Sequence, residues 1–385
     1  MISAALRAAS VPPFHAMAMA RLASELEADG TRVLHLEVGQ PATGLPAAAR
    51  AAVEGSLDQP LGYTNAAGLQ SLRARIAELY GTDDAGTPKV SADRVLVVGG
   101  ASAGFTLAFL SLFEPGDRVG VVEPGYPCYR NTLLALGIEP IAIPVDDATR
   151  WAPTPELIDA AGPLRGIVLA SPSNPTGTVL GSDALAAVVE HCAANDIAIV
   201  ADEIYQGITA EPAARILDHT DDAFVINSFS KYYSMTGWRI GWVVVPPQLY
   251  DTVETLQQNF FICAPHVSQV AARAALDATE ELDGHVRRYL ANRTLLVDGL
   301  TAAGIDRHAP ADGAFYVYAH VPHLTTEIGI DASELCRRWL DELGVCATPG
   351  IDFDTVRGHE YLRFSYAGDG ADLAEACTRL AAWRP

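Results

Sequence analysis

The sequence predicts an α/β protein with a large domain, whose mostly parallel seven-stranded sheet lies between helices, and a smaller α+β domain. Short runs rich in Val and Ile alternate with Ala- and Leu-rich stretches along much of the chain, as they do in layered α/β domains. Most of these runs are apolar throughout, so we expect both faces of the sheet to be buried. After about residue 280 the alternation ends, which indicates a second domain.

The elements follow one another in the order that such a fold requires. Helices are predicted between several strands, at 102–113 and 183–195, and a strand-like YLRFSYA follows the later helices 280–303 and 332–343. We expect an N-terminal segment at 1–40, a large domain at 41–280 and a small C-terminal domain at 281–385. The predicted strands of the large domain are 95–98, 119–122, 141–145, 166–170, 197–201, 224–227 and 241–245.

Composition and charge exclude several classes of protein. The 385 residues carry a net charge of −21, which would repel the phosphates of a nucleic acid. The sequence contains no run of eighteen apolar residues, so we expect no membrane span. The six cysteines are scattered without a CxxC pair, which is typical of free thiols in a reducing compartment and predicts a cytoplasmic protein without a metal site.

The stretch SFSKYYSMTGWRIGW carries the strongest chemical signal in the sequence. Lys231 follows two hydroxyls, Ser228 and Ser230, and precedes Arg239 by eight positions. A lysine amine can form a Schiff base with an aldehyde, while hydroxyls and a guanidinium can bind a phosphate. The stretch therefore indicates a site that holds a phosphorylated aldehyde covalently.

This stretch resembles the lysine motif of the class I aminotransferases that depend on pyridoxal phosphate (PLP), the aspartate aminotransferase-like family. Further motifs of that family follow in order over almost the whole chain: LEVGQP, YTNAAG, VGGASAG, SPSNPTG, ADEIY and YLRFSYA. The resemblance implies the PLP-dependent transferase fold type I, in which the N-terminal helix, here 16–29, packs with the small domain.

Within this resemblance, three polar residues at the ends of strands are expected to face the pyridine ring. Asp202 ends a predicted strand and would pair with the ring nitrogen, although a strand-terminal Asp can also cap a helix. Tyr205, which we place on the same helical face as Asp202, and Asn174 would reach the phenolic oxygen. Asn174 also fits an ordinary turn, and the family often has a cis proline at the position of Pro175.

Other residues match the family's cofactor-binding positions. Gly100, Ala101 and Ser102 open a helix after a strand, where backbone N–H groups can bind the phosphate. Tyr126 matches the aromatic residue that stacks on the ring, although a core tyrosine is also possible. Tyr63 resembles the tyrosine that reaches the neighbouring subunit's phosphate, which implies a homodimer with shared active sites; a tyrosine flanking a turn is the alternative.

A further set of residues is expected to bind the substrate. Arg363 would hold the substrate's α-carboxylate through a bidentate contact, unless it is an exposed residue of an edge strand. Gly39 matches the glycine at the domain junction, and Asn174 would also contact the substrate. Phe14 hints at an apolar or aromatic substrate, and Ala101 stands where relatives that prefer acidic substrates often have lysine.

The resemblance implies a transaminase that moves an amino group between an L-amino acid and a 2-oxo acid. Lys231 would hold PLP as an aldimine and carry the proton, through ping-pong half-reactions. A β-lyase or an amino-acid cyclase on the same scaffold remains open, as does an effector-binding module. GASAG also fits the G-x-S-x-G pattern of a serine hydrolase with Ser102 as nucleophile, although no histidine stands in a recognisable context.

Overall fold

The computed structural model describes residues 4–82 and 86–384 of the chain. Residues 1–3, at the start of the predicted N-terminal segment, residues 83–85, and residue 385, at the end of the predicted C-terminal domain, lie outside the described residues.

The described residues form α-helices and β-strands that alternate through the first part of the chain. The strands are β1 (Leu34–His35), β2 (Val95–Val98), β3 (Arg118–Glu123), β4 (Glu139–Pro144), β5 (Gly166–Ala170), β6 (Ala198–Asp202), β7 (Phe224–Ser228), β8 (Gly241–Val244), β9 (Tyr316–His320), β10 (Val345–Cys346), β11 (Thr348–Pro349) and β12 (Tyr361–Ser365). The helices are α1 (Leu6–Ala9), α2 (His15–Ala28), α3 (Ala47–Ser56), α4 (Gln70–Glu78), α5 (Ala101–Leu112), α6 (Pro127–Leu136), α7 (Pro155–Ala160), α8 (Ser182–Ala194), α9 (Tyr250–Phe260), α10 (His266–Ala275), α11 (Thr279–Ala302), α12 (Pro322–Ile328), α13 (Ala332–Leu343) and α14 (Gly370–Ala382).

The central sheet of the described chain has seven strands in the order β2-β8-β7-β6-β5-β3-β4. Only β8 runs against its neighbours β2 and β7 within this sheet; the other pairs are parallel. Every residue of β2, β7 and β8 is buried, as the continuous apolar runs predicted. The carboxyl ends of β2, β3, β5, β6 and β7 therefore meet at one edge, where ligands of such sheets bind.

The predicted bounds of these strands agree with the structure to within two residues. The largest difference is in β4, which begins at Glu139 instead of residue 141. Its first residue pairs in register with Arg118 of β3, so backbone pairing extends the strand beyond its apolar run. β4 lies at the edge of the sheet, where Glu139 is exposed; hydrophobicity alone therefore underestimates its length.

The C-terminal part of the chain forms a second core around a three-stranded antiparallel sheet of described residues, in the order β11-β12-β9. Met19 and Ala23 of α2 belong to this core together with Leu335 and Trp339 of α13. β1 pairs in parallel with β10. The N-terminal helix thus packs against C-terminal elements, in agreement with the expectation from the sequence.

The longest described helix, α11, spans 24 residues and carries charged side chains along its length. In the part of the chain that the structure describes, no helix combines the length and the apolar character needed to cross a membrane.

Candidate active site

A cavity of about 420 Å³ opens at the edge of the sheet where the parallel strands end, between the two cores. Elements distant in sequence line it, because several strands deliver their following residues to the same edge. Its lining includes these residues predicted from the sequence: Phe14, Gly39, Ala101, Ser102, Tyr126, Asn174, Asp202, Tyr205, Ser228, Ser230, Lys231, Arg239 and Arg363.

The side chain of Lys231 lies inside this cavity. Its Nζ donates a hydrogen bond of 2.5 Å to the carbonyl oxygen of Gly39. Burial lowers the pKa of the Lys231 amine to about 8, and the positive charges of Arg363 and Arg239 act in the same direction, against Asp202. A lysine with this pKa is partly neutral near pH 7, which a nucleophilic amine requires.

Asp202 is the last residue of β6 and is buried at the carboxyl edge of the sheet. Its Oδ1 accepts from the backbone N–H of Ile204 at 3.0 Å, and its Oδ2 accepts from the hydroxyl of Tyr129. Burial raises the pKa of this carboxyl to about 6, and these hydrogen bonds oppose the rise. Asp202 can therefore carry a negative charge inside the cavity at neutral pH.

The expectation that Tyr205 shares a helical face with Asp202 is wrong. Residues 204–207 form a turn after β6, so Asp202 and Tyr205 do not lie on one helix. Tyr205 nevertheless reaches the cavity, and its hydroxyl lies 2.7 Å from that of Tyr316. A Cβ at Gly39 would lie 2.0 Å from Tyr316 Oη, so this tyrosine pair requires glycine there.

Small residues and hydroxyl groups surround the start of α5. Gly100 has a φ of +85°, and a Cβ on it would lie 2.6 Å from Nη2 of Arg239. Ser228 donates from its Oγ to Ser230 Oγ at 2.9 Å. The N-terminus of α5, two hydroxyls and a guanidinium thus converge on one end of the cavity, which can bind an anion.

Arg363 lies in the middle of β12 and is buried, not exposed at an edge. Its Nη1 donates to Asn174 Oδ1 at 3.0 Å and its Nη2 to the carbonyl of Glu37 at 2.6 Å. The guanidinium also stacks over the ring of Tyr316, 4.4 Å from its centroid. Among the described residues, its Nε has no hydrogen-bond partner, which leaves bonding capacity for a carboxylate.

The peptide bond between Asn174 and Pro175 is cis, as the sequence motif predicted.

An apolar wall closes another side of the cavity. Phe14 contacts Tyr126 edge-on, with ring centroids 6.3 Å apart. Met17 and Ala20 of α2 and Phe105 of α5 also line this side.

Two predicted residues do not line the cavity. Gly100 lies just behind it, against Arg239. Tyr63 is 84% exposed and does not border the cavity of its own chain. It follows Gly62, whose carbonyl oxygen lies 2.9 Å from Nδ1 of His266.

Several residues that line the cavity were missed in the sequence. Tyr129 lies on α6, three positions after Tyr126, which is the N-cap of that helix. A rule based on helical spacing could therefore have found it. Tyr316, in β9, and Met17 carry no local motif, because their place depends on how the small domain and α2 pack against the large one.

The donor set fits PLP. The cavity offers a half-buried amine of lowered pKa in Lys231, a buried carboxylate in Asp202 and an anion site next to Gly100, where a Cβ would meet Arg239. Within the described ranges, no cluster of three or more metal-ligating side chains occurs. No histidine is among the described residues lining the cavity, so Ser102 lacks the base that a serine hydrolase needs.

Comparison with known proteins identifies the family. The family described as aminotransferase class I and II matches residues 31–380. A valine–pyruvate aminotransferase of Mycobacterium tuberculosis is 45% identical over 99% of this chain and 98% of its own. A crystal structure of an aminotransferase from the same organism superposes with a TM-score of 0.95 at 45% identity, covering 100% of this chain and 99% of the other.

An aspartate aminotransferase from Thermus thermophilus, solved with maleate, has a TM-score of 0.89 at 28% identity and covers 99% of each chain. The fold is therefore fold type I of the PLP-dependent transferases. The chain belongs to aminotransferase class I and II, the PLP-dependent enzymes that move an amino group between an amino acid and a 2-oxo acid.

Proposed function

We propose that this enzyme exchanges the amino group between a neutral aliphatic amino acid, about the size of valine, and pyruvate. The apolar wall of the cavity carries this proposal: Phe14, Met17 and Phe105 would surround the donor's side chain. Ala101 supplies no charge at the position where a lysine could bind an acidic side chain. The name of the Mycobacterium tuberculosis relative supports the same donor and acceptor.

The cations of the cavity support a neutral donor. The described lining contains Lys231, Arg239 and Arg363 as its lysine and arginine residues. We assign Lys231 to the covalent attachment of the cofactor, Arg239 to its phosphate and Arg363 to the donor's α-carboxylate. No cation of this lining is left for a second carboxylate, and burying an unpaired charge would be costly.

The bound cofactor supplies an aromatic ring that withdraws electrons from the donor's α-carbon. Asp202 would place its negative charge next to the ring nitrogen, and Tyr129 would hold that carboxylate in position. Tyr205 and Asn174 would donate to the phenolic oxygen. The neutral amine of Lys231, which its lowered pKa makes available, would take the proton from the donor's α-carbon and deliver it to the cofactor's C4′ carbon.

Substrate and cofactor anions would bind at opposite ends of the cavity. Arg363 would form the bidentate contact with the α-carboxylate, oriented by Asn174 and, through its backbone carbonyl, Glu37. Gly39 would keep the approach open for the substrate. Ala101, Ser102, Ser228, Ser230 and Arg239 would hold the phosphate, with Gly100 behind them leaving room for Arg239, while Tyr126 would stack on the ring.

We further propose a homodimer in which Tyr63 enters the neighbouring subunit's active site. The segment around Tyr63 exposes apolar surface that a second subunit would cover: Tyr63 is 84%, Leu57 64%, Phe260 57% and Ile262 53% exposed. The hydrogen bond between Gly62 and His266 joins the two parts of this surface.

Subunit mixing tests this sharing. Tyr63→Ala and Lys231→Ala homodimers should each have little activity, whereas unfolding and refolding them together should restore activity in the heterodimers. Heterodimers that form without any gain would show that each active site uses its own chain's Tyr63, and a fully active Tyr63→Ala homodimer would show that neither site needs it.

A cytoplasmic location and the three-segment division at residues 40 and 280 are proposed as well. All six cysteines of the sequence lie in the described part of the chain and are free thiols, which fits a reducing compartment.

The packing of α2 into the C-terminal core supports an N-terminal segment that moves with the small domain.

The donor proposal is tested by kcat/KM for single amino acids with pyruvate as acceptor. We expect valine and other aliphatic donors to exceed aspartate and glutamate by at least about 100-fold, because an unpaired carboxylate would be desolvated against the apolar wall. An enzyme that uses aspartate as well as valine would contradict the proposal.

A further inference from the structure

The first turn of α2 is capped by a side chain from the other end of the chain. The N-cap residue, Phe14, makes no side-chain cap of its own. Instead, Asp352 accepts from the backbone N–H of His15 at 2.9 Å through Oδ1, and from that of Ala16 at 2.7 Å through Oδ2. Both carboxylate oxygens are thus used on the start of a single helix.

Asp352 is itself held firmly. It is 3% exposed and closes the short 3-10 turn Gly350–Asp352. Arg130 of α6 donates to its backbone carbonyl at 3.3 Å and pairs with Glu123 at 2.8 Å. Thr355 donates to the other oxygen of Glu123 at 3.1 Å. The carboxylate of Asp352 therefore has a fixed place relative to α6, which supplies Cys128 and Tyr129 to the cavity wall.

The capped turn carries the apolar wall of the cavity. Phe14 precedes His15, whose N–H is the first that Asp352 caps, and Ala16 and Met17 follow His15. Phe14, Ala16 and Met17 all line the cavity. The Phe14 ring packs edge-on against Tyr126, whose ring in turn contacts Tyr129 at a centroid distance of 5.5 Å. A shift of this turn would move Phe14 and Met17 relative to α6, whereas Lys231 and Arg363 lie on other elements, after β7 and in β12.

We propose that Asp352 is a positioning residue that sets which donor side chains the enzyme accepts, by holding the first turn of α2 and with it Phe14 against the cavity. Asp352 touches neither substrate nor cofactor in this role. This inference rests on the proposed function, in which the α2 wall surrounds the donor's side chain. It goes beyond that proposal because it assigns the selectivity to a cap outside the cavity lining.

A purely stabilising cap would lower the stability of the protein but leave selectivity unchanged. Asp331 provides the matched control, because its Oδ1 caps α13 by accepting from the N–H of Glu334 at 2.9 Å. Asp331→Ala removes a capping carboxylate, which is exposed and makes one capping hydrogen bond, from a helix that does not line the cavity. The melting temperature of the Asp331→Ala variant should fall. Its ratio of kcat/KM for valine to kcat/KM for alanine should stay at the wild-type value.

The test measures that valine-to-alanine ratio in the PLP-loaded enzyme with 2-oxobutyrate as the acceptor for both donors, because alanine with pyruvate gives no net reaction. Asp352→Ala should lower the ratio by about tenfold, in the range expected for lost apolar contacts in a pocket, mainly through KM for valine. Asp352→Asn, which keeps one acceptor, should fall between wild type and Asp352→Ala. Equal losses for both donors would overturn the proposal.

A double-mutant cycle with Phe14→Ala asks whether Asp352 acts through this ring. In the Phe14→Ala background, substitution of Asp352 should change the ratio much less than in the wild type; additive changes would overturn the proposal. If neither Asp352 variant folds, as judged by circular dichroism and the absorbance of bound PLP, Asp352 is a structural requirement and the proposal is likewise overturned.

The donor series of the wild-type enzyme, together with the valine-to-alanine ratio of the variants, separates this inference from the proposed function. A wild-type enzyme that prefers acidic donors contradicts the proposed donor class. A wild-type enzyme with the expected preference, whose ratio is insensitive to Asp352, contradicts only the role of the cap.

Discussion

At the scale of single residues, the cavity combines two groups whose pKa values are shifted by burial in opposite directions. The pKa of Lys231 is lowered to about 8 and that of Asp202 is raised to about 6. Near pH 7 the enzyme can therefore hold a partly neutral amine and an ionised carboxylate in one cavity. Such pairs of shifted groups are typical of active sites.

The first prediction concerns the pH dependence of cofactor capture. The neutral amine of Lys231 is the form that attacks the aldehyde, so the rate at which the apo-protein binds PLP covalently should rise with pH and level off above about 8. Arg363→Ala removes a positive charge that lowers this pKa, so its inflection should lie at higher pH. Stopped-flow absorbance measures both rates; a wild-type inflection near the ordinary lysine value of 10.5 would contradict the prediction.

The second prediction concerns the charge of Asp202. Asp202→Asn keeps the size of the side chain and removes its charge, so kcat should fall by about 10²–10³-fold, as for the loss of one preorganised electrostatic group. The absorbance of bound PLP should remain, because Lys231 is unchanged. A kcat within a few-fold of the wild-type value would exclude Asp202 from this role.

The third prediction concerns Arg363. Arg363→Ala should raise KM for the amino donor by about tenfold to a hundredfold, the range for a lost hydrogen bond to a charged group. Arg363→Lys should not restore KM, because an ammonium group cannot copy the planar contact or the stacking on Tyr316. A lysine variant with wild-type KM would show that only the charge matters.

At the scale of secondary-structure elements, His35 connects β1 to α2. Its Nδ1 lies 2.8 Å from Oε1 of Glu37 and its Nε2 lies 3.0 Å from Oε1 of Glu27. These two carboxylates raise the pKa of His35 to about 9, chiefly through the hydrogen bond with Glu37. The protonated imidazole therefore stabilises the packing of the helix that carries the cavity's apolar wall.

The fourth prediction follows from this shift. Because the folded-state pKa of His35 lies above its ordinary value of 6.5, its stabilisation is fully present below pH 6.5 and is lost as the pH rises through 9. The difference in free energy of unfolding between wild type and His35→Gln, measured in urea, should therefore shrink over this interval. A difference that stays constant from pH 6 to 10 would contradict the ionic role of His35.

The sequence predicted all seven strands of the central sheet because their apolar patterns are local. The helix α13 was predicted with its exact bounds, and α2, α5 and α8 were displaced by one residue. Many of the predicted site residues came from motifs that follow strands, whereas Arg363 lies within β12. The role of Asp352 could not be predicted, because its partners His15 and Ala16 are distant in sequence. Tyr205 was placed on a helix because the turn after β6 has no strong turn-forming residue before Gly207.

At the scale of the whole molecule, the active site depends on the meeting of separate parts. The large sheet supplies Asp202 and the residues after β7, the C-terminal core supplies Arg363, and α2 supplies the wall around Phe14. The C-terminal core also includes α2 residues, so the wall and Arg363 belong to the same packed unit. The position of the donor between Lys231 and Arg363 therefore depends on how the two cores pack.

The fifth prediction tests the central claim most directly, and it needs no steady-state assay. The absorbance of the PLP-loaded enzyme is recorded after valine is added, and again after the valine is removed and pyruvate is added. We predict that the long-wavelength band disappears with valine and returns with pyruvate, while alanine forms in one equivalent per site. Lys231→Ala should undergo neither change. A wild-type band that persists with every amino acid, or a Lys231→Ala enzyme that turns over like the wild type, would contradict transamination through this lysine.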